Sequence, residues 1–564
     1  MGHLTTELTK KTGKKRIRSA AILIRLLFIF LAFYQAGCSV TVQKVPTEYD
    51  IVVYGGTSSA VAAALQAARM GKTVVLIQPG RHLGGLTSGG LGATDIGNKD
   101  AIGGIAREFY QRVYRHYTKD DAWIYESSPQ YEPAKRWEGT NSWWLFEPHV
   151  AAQIFTEMVR QANVQVIYGQ RLDLKKGVRK DGSRITAIVT ESGQVFAARM
   201  FIDATYEGDL MAKAGVSYFV GREANSQYGE TLNGVQTANA RYHQFDKCVD
   251  PYVRAGDKSS GLLPGVHGRG PGRQGQADHR LQAYNYRMCL TDVTANKMPF
   301  PKPKDYDELR YELLLRYYEA GYDRIGWLPV QLPNRKTDTN NRDGFSTDNI
   351  AANYGYADGD YAARKKIIRD HISYQKGLMW TLANHRRVPE KIRGQVSRWG
   401  LAKDEFVDND NWPHQIYVRE ARRMVSDYIM TEQNCRGRRI AEDPVGLGAY
   451  GMDSHNTQRY VDENGCVRNE GDIQVGGFSP YPISYRSIIP RHGECSNLLV
   501  PVCVSASHIA FGSIRMEPVF MILAQSAATA ACLAIDENVG VHQLDYRKLR
   551  SRLLQDGQIL QWKQ

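Results

Sequence analysis

His455, His508, Arg419 and Arg515 are the side chains of the C-terminal third best suited to chemistry on a small polar substrate. A neutral imidazole near pH 7 can take the proton that an alcohol loses as it gives up a hydride. A guanidinium can balance the negative charge delivered to the hydride acceptor. Each also has a plainer reading, as a hydrogen-bonded packing histidine or an arginine in an ion pair. Near the other end of the chain, Gly55-Gly56-Thr57-Ser58-Ser59-Ala60 has the composition of a turn whose backbone N–H groups meet a diphosphate.

These residues need elements to position them. Tyr49-Asp50-Ile51-Val52-Val53-Tyr54 is short, apolar and β-branched, and reads as a buried strand ending at Gly55-Gly56. Ala60 to Arg69 is a helix of small residues closed by Gly71, and Thr73 to Ile77 is a second strand. The result is a βαβ unit. Laid on G-x-G-x-x-G, the turn keeps Gly55, places Thr57 at the second glycine, where it narrows the approach of a phosphate, and has a tolerated Ala60 at the third. Gln78 stands where an acid would hold ribose hydroxyls. It can still hydrogen-bond them, without the charge that strengthens the bond.

Directly after the second strand comes Arg81-His82-Leu83-Gly84-Gly85-Leu86-Thr87-Ser88-Gly89-Gly90-Leu91-Gly92, and soon after Ile102-Gly103-Gly104. With these motifs the chain resembles the FAD-dependent oxidoreductases of glutathione-reductase-like fold, in particular an exported bacterial branch. The resemblance implies an α/β fold: an FAD/NAD(P)-binding Rossmann-like parallel sheet with a β-meander and an inserted α+β substrate domain. It also implies FAD as cofactor, held by Gly55 to Ala60, Gln78, Gly84 and Gly85, with His82 open as a covalent attachment point.

Further along, Val150 to Val159 is helical and Val164 to Tyr168 is a further parallel strand. Ile185 to Thr190 and Gln194 to Arg199 alternate about a Ser192-Gly193 turn, and Met200 to Thr205 returns as a buried strand. In the family this strand passes near the adenine end, which brings Asp203, Ala204 and Thr205 to the cofactor. Residues 261–273 read as a loop, and helical spacing recurs at 307–320 and 360–384. Trp123, Tyr125, Tyr131, Trp137, Trp143 and Trp144 offer flat faces for a sugar ring, or are ordinary packing. The resemblance resumes from Val418 and runs through Gly446 to Arg459, Tyr481 to Pro490, and the segment holding His508, Gly512 and Arg515. The helix after Pro518 is expected to aim its N-terminus at the pyrimidine end of the flavin ring, with Gly512 and Arg515 near it. The expected organisation is 48–222 and 481–540 for the FAD domain, 223–480 for the substrate domain and 541–564 as a tail.

The formal charge of +13 over 564 residues is unevenly placed. Seven basic residues against Glu7 put +6 into the first 25 positions, ahead of the apolar run Leu26 to Tyr34 and Gln35-Ala36-Gly37-Cys38. That order is an export signal over residues 1–37, with Cys38 as a lipidation site, in a periplasmic or outer-membrane-attached protein. The apolar run is too short to span a bilayer. The remaining +7 shows no Lys/Arg run with interleaved aromatics, so nucleic acid is not an expected partner. A membrane is expected only through the signal or lipid anchor. Cys248, Cys289, Cys435, Cys466, Cys495, Cys503 and Cys532 are widely spaced without CxxC, so no metal site is expected and at most a few disulfides. The function expected is a flavoenzyme taking a hydride from a small polar or carbohydrate-like substrate in the cell envelope. Two other readings stay open: a polysaccharide lyase using Tyr485, Arg486 and His455, or a non-catalytic FAD-binding envelope protein.

Overall fold

The fold follows from three apolar runs that can be satisfied only as neighbouring, doubly covered strands. In the computed structural model, which describes residues 48–133 and 140–563, β1 (Tyr49–Tyr54) lies between β2 (Val74–Gln78) and β6 (Val195–Asp203), parallel to both. Val52 faces Val75 on one side and Phe201 on the other. β3 (Gln165–Tyr168) adds in parallel to β2, and the short strand Leu498–Leu499 adds in parallel to β6. The chain therefore re-enters the sheet it left some three hundred residues earlier, as Leu498 pairs with Phe201.

The expected meander is present, with two differences. β4 (Val178–Asp181), which the sequence did not reveal, pairs antiparallel with β5 (Arg184–Val189). The stretches expected to be two strands, 194–199 and 200–205, form the single strand β6. Its first half pairs antiparallel with β5 and its second half runs parallel to β1. No turn residue interrupts Val195 to Asp203, so one extended strand can serve both pairings.

Helix α1 (Ser58–Arg69) crosses from β1 to β2. Its residues Ala60, Ala62, Ala63, Ala64 and Ala67 are fully buried, small enough to let the long helix Glu517–Glu537 lie against it. That helix is apolar and long enough to cross a membrane, yet it is almost wholly buried in the protein core. Helices α2 (Gly85–Gly89), α3 (Gly104–Tyr117) and α4 (Pro148–Gln161) also belong to this part.

The 223–480 region carries an antiparallel five-stranded sheet, in the order Trp327–Leu332, Lys336–Asn341, Cys289–Thr291, Gly400–Ala402, Lys297–Met298. The region also carries helix Tyr361–Asn384, N-capped by Asp360, close to the 360–384 span read from spacing. The 307–320 span resolves into a 3₁₀ turn, Glu308–Tyr311, continued by helix Glu312–Glu319. Cys248 and Cys466 form a disulfide within the region, and Cys289, Cys435, Cys495, Cys503 and Cys532 are free and buried. The proposed export signal, with Cys38, and Trp137 lie outside the described residues.

Candidate functional site

The turn after β1 is built for close approach. Gly55 has φ +123°, and a Cβ there would lie 2.8 Å from the Ala204 carbonyl oxygen. Thr57 is the N-cap of α1: its hydroxyl donates to Ala204 O at 2.7 Å and accepts from the Ala60 N–H at 3.1 Å. The side chain is thus turned toward β6 and the first turn of α1. Ser58 donates to Glu517 at 2.6 Å, while the buried Ser59 hydroxyl has no partner among the described residues. Gly84 and Gly85 are required by their neighbours. A Cβ on Gly84 would lie 2.5 Å from the Phe155 ring, and one on Gly85, at φ +55°, would lie 2.4 Å from the Tyr206 hydroxyl.

A cavity of about 210 Å³ opens over this turn, lined by Gly55 to Thr57, Gln78, Gly85, Thr205 and Glu207 among others. Two expected contacts are corrected in part. Gln78 does line the cavity, but its amide is engaged in its own turn, with Nε2 donating to His82 O and Oε1 accepting from Gly80 N at 3.2 Å. Asp203 does not face the cavity. It is buried and accepts from Thr205 N, Thr205 Oγ1 and Met211 N, so it shapes the 205–211 turn from behind. Burial raises its pKa to about 6.

Glu517 was not singled out in the sequence. It opens the Glu517–Glu537 helix and accepts from Ser58, Thr87 of α2 and Tyr206 at 2.6, 2.6 and 2.7 Å. Burial pushes its carboxyl above the usual range, against those hydrogen bonds. One buried acid thereby ties the first turn of α1, α2 and the end of β6 to the start of the long helix. Its only sequence signal is a glutamate before proline ahead of an apolar run.

A second set of expected residues forms a buried polar group of its own, none of which lines the cavity over the turn. Arg515 donates to Tyr417 OH at 2.6 Å and to Asp453 Oδ2 at 2.8 Å, and its Nε has no partner among the described residues. Arg419 pairs with Asp348 at 3.0 Å, donates to Ala283 O, and its Nε and Nη2 have no partner among the described residues. Both guanidinium groups lie over the Tyr417 ring, at 4.6 Å for Arg419 and 5.5 Å for Arg515. Burial, with Arg515 and Arg287 nearby, lowers the pKa of Arg419 despite Asp348. His455 sits in the same group: Nδ1 is 2.8 Å from Asp348 Oδ2, and Nε2 is 3.6 Å from Asp453 Oδ2. The His243 ring packs on it at 6.3 Å, with Nδ1 2.7 Å from Asp472. Burial works against protonation of His243, but Asp472, Asp348 and Asp453 together raise its pKa. Asp348, Asp453 and His243 were missed because no local pattern marks a residue that becomes important through a distant partner.

Other expected residues fall elsewhere. His508 is buried with Nδ1 2.7 Å from Glu420 and Nε2 2.9 Å from Ser454, so both nitrogens are occupied by the protein. Its role is packing rather than facing a substrate. Gly512 lets the helix His508–Ile514 approach residue 453, since a Cβ there would lie 2.5 Å from Asp453 O. It supports the Arg515–Asp453 pair and does not line the cavity over the turn. Tyr131, Trp143 and Trp144 are buried and pack with Tyr110, Tyr117 and Trp123, so these three give no exposed platform for a sugar. Tyr485 donates to Val541 O, and Arg486 pairs with Asp443 at 3.1 Å. Among the described residues neither contacts His455, and the lyase arrangement is not assembled.

The residues fit a dinucleotide flavin on four counts: a glycine cradle that a Cβ would fill, an open cavity over it, an orphaned serine hydroxyl at the helix start, and unpaired guanidinium N–H groups in the buried interior. The family model described as FAD dependent oxidoreductase matches residues 50–553. Comparison with curated proteins gave no match. Among solved structures, L-proline dehydrogenase from P. horikoshii is 16% identical, with a TM-score of 0.23 over 32% of this chain and 59% of that one. L-amino acid deaminase from Proteus vulgaris is 14% identical, with a TM-score of 0.23 over 32% and 53%. THI4 from Thermovibrio ammonificans is 14% identical, with a TM-score of 0.21 over 36% and 72%. The chain spans 44% and 59% of the first two solved structures it matches.

Proposed function

Since the chain belongs to the FAD-dependent oxidoreductases, we propose that it oxidises a small polar substrate by hydride transfer, with His455 as the base. When bound, FAD supplies the two-electron acceptor. The observation that carries the rest is the buried His455–Asp348 pair beside two guanidinium groups with unpaired N–H donors. Asp348 orients the ring through Nδ1, leaving Nε2 to receive the proton of a substrate hydroxyl, and stands opposite the charge the ring then gains. Asp453, the acid nearest Nε2, is itself engaged by Arg515. Arg515 and Arg419 answer the negative charge that reduction brings to the site.

With Tyr131, Trp143 and Trp144 turned inward, the substrate class proposed is a small polar alcohol or hydroxy acid, with a carbohydrate-like substrate as the other member of the panel below. The basic and apolar order of residues 10–38 supports export to the cell envelope, and the Cys248–Cys466 disulfide accords with an oxidising compartment. The test is anaerobic mixing of the FAD-loaded protein with a panel of polyols, sugars and hydroxy acids, following the flavin band near about 450 nm. Bleaching by one class supports the reading and names that class. A protein that takes up no FAD on reconstitution sinks it.

A further inference from the structure

Another cavity, of about 290 Å³, lies in the 223–480 region and shares no lining residue with the one over the glycine turn. Its wall is gathered from five places: residues 264–267 of the Gly/Pro-rich loop, Arg310, the turn at 349–352, Asp370 and Tyr374 of helix Tyr361–Asn384, and Arg459 of strand Gln458–Val461.

Arg459 sets this wall apart. It is 3% exposed, forms no ion pair among the described residues, and its Nε and Nη2 have no hydrogen-bond partner there. The guanidinium lies over the Phe345 ring at 4.8 Å, and the loop is drawn against it. His267 N donates to Arg459 O at 2.9 Å, and Gly265, at φ +83°, passes so close that a Cβ would lie 3.4 Å from Nη1. Burial pushes the pKa of Arg459 down, with Tyr374 and Asp348 acting against that. Asp348 is not its counter-ion, being engaged by Arg419 and His455. A buried cation without a partner is costly to keep, and one in a cavity wall is satisfied when an anion occupies the cavity.

The rest of the lining sets the charge and size of that anion. Arg310 pairs with Asp370 at 3.1 Å, and Asn349 Nδ2 donates to the same carboxylate at 3.0 Å, so the first two charges cancel. Burial, Arg280 and Arg459 lower the pKa of His267, which leaves its ring uncharged at neutral pH and able to hydrogen-bond. One positive charge remains, matched to a monoanion, and Asp370 stands against a second negative charge. Ile350, Ala351 and Ala352 supply an apolar side. The volume is at the lower end of the roughly 300–1,000 Å³ typical of small-molecule sites, which is room for a compound of a few carbon atoms.

We propose that this cavity binds a small monocarboxylate, its charge received by the Arg459 guanidinium and its carbon chain lying against residues 350–352. The site stands apart from the flavin cavity and goes beyond the oxidation proposal.

The test uses the full chain with and without FAD, so its outcome is separate from that of the oxidoreductase reading. The probe is propionate, which has no hydroxyl to oxidise, and calorimetry is expected to show one saturable site per chain. R459Q should weaken binding at least about tenfold, the loss of a charge-assisted contact, whereas R486Q, at an exposed arginine outside the cavity, should not. A352F, which fills the cavity from its apolar side and leaves Arg459 in place, should abolish it. Melting transitions establish that the variants are folded. Propionamide should not bind, and inorganic phosphate should bind at least about tenfold more weakly than propionate, since Asp370 opposes its second charge. In the unmodified protein, saturating propionate should slow amide hydrogen exchange in the peptides covering 264–267 and 349–352, read by mass, so the result does not depend on a variant folding. The absence of saturable binding, protection confined to other segments, or unchanged binding in folded R459Q or A352F overturns the proposal. Phosphate binding as tightly as propionate overturns the carboxylate assignment.

Discussion

His455 and His508 share a residue type and a buried setting, and their surroundings separate them. His455 has a carboxylate on Nδ1 and faces, on its other side, an acid already shared with Arg515. His508 has protein partners on both nitrogens. H455Q is therefore expected to retain the flavin spectrum and melting temperature while slowing substrate bleaching of the flavin by about 10²–10⁴-fold, read by anaerobic stopped flow. H508Q is expected to cost roughly 1–3 kcal/mol in urea unfolding, since it leaves Glu420 and Ser454 short of a partner. A kinetic loss in H508Q at unchanged stability would contradict that assignment. Both histidines were visible in the sequence as candidates. What distinguishes them, Asp348 against Glu420, lies 107 and 88 residues away respectively and is set by folding.

At the scale of elements, the turn between β1 and α1 works because glycine alone fits there. G55A should abolish FAD uptake and destabilise the fold by about 1–3 kcal/mol, as a Cβ at φ +123° meets the Ala204 carbonyl. Flavin content and a denaturant curve check it. A second junction joins helix α4 to the five-stranded sheet. Glu405 accepts from His149 N at 3.0 Å, lies 2.7 Å from His149 Nδ1 and 2.8 Å from Lys336 Nζ. Against its burial, Lys336 and His149 hold its pKa near about 2, below the ordinary 4.5. The folded state thus holds the proton less well than the unfolded chain, so the stabilisation is present above about pH 4.5 and is lost as pH falls toward 2. E405Q should cost about 3 kcal/mol at pH 7 and flatten the acid limb of the stability curve between those values, measured by denaturant unfolding at stepped pH. An unchanged acid limb would falsify this account of the junction.

For the whole molecule, the decisive feature is that one core is assembled from both ends of the described chain. The Leu498–Leu499 strand lies beside β6 and the Glu517–Glu537 helix against α1, while much of the chain between 223 and 480 is carried out and back, with Arg423–Met424 and Pro444–Gly448 returning to pair with Tyr218–Phe219 and Tyr481–Ser484. The Cys248–Cys466 disulfide spans 218 residues of that excursion. Its removal as C248S/C466S should lower stability by roughly 2–5 kcal/mol, seen as a reduced denaturant midpoint, while flavin binding by the folded protein persists. If the midpoint is unchanged, the disulfide is not a constraint on this region.

The βαβ unit, the glycine turn, the meander and the apolar closing helix were legible in the sequence, because local periodicity and turn chemistry dictate them. The extent of β6, the presence of β4 and the identity of the site's acids were not. A strand's second partner, and the carboxylate that a buried histidine or arginine finds, depend on which distant segments the core brings together. The aromatic run 123–144 shows the same limit: composition offers flat faces, and only packing decides that Tyr131, Trp143 and Trp144 are turned inward. Residue type determined what chemistry the chain could do with a flavin, and the long return from 223 to 498 decided which of those residues stand together to do it.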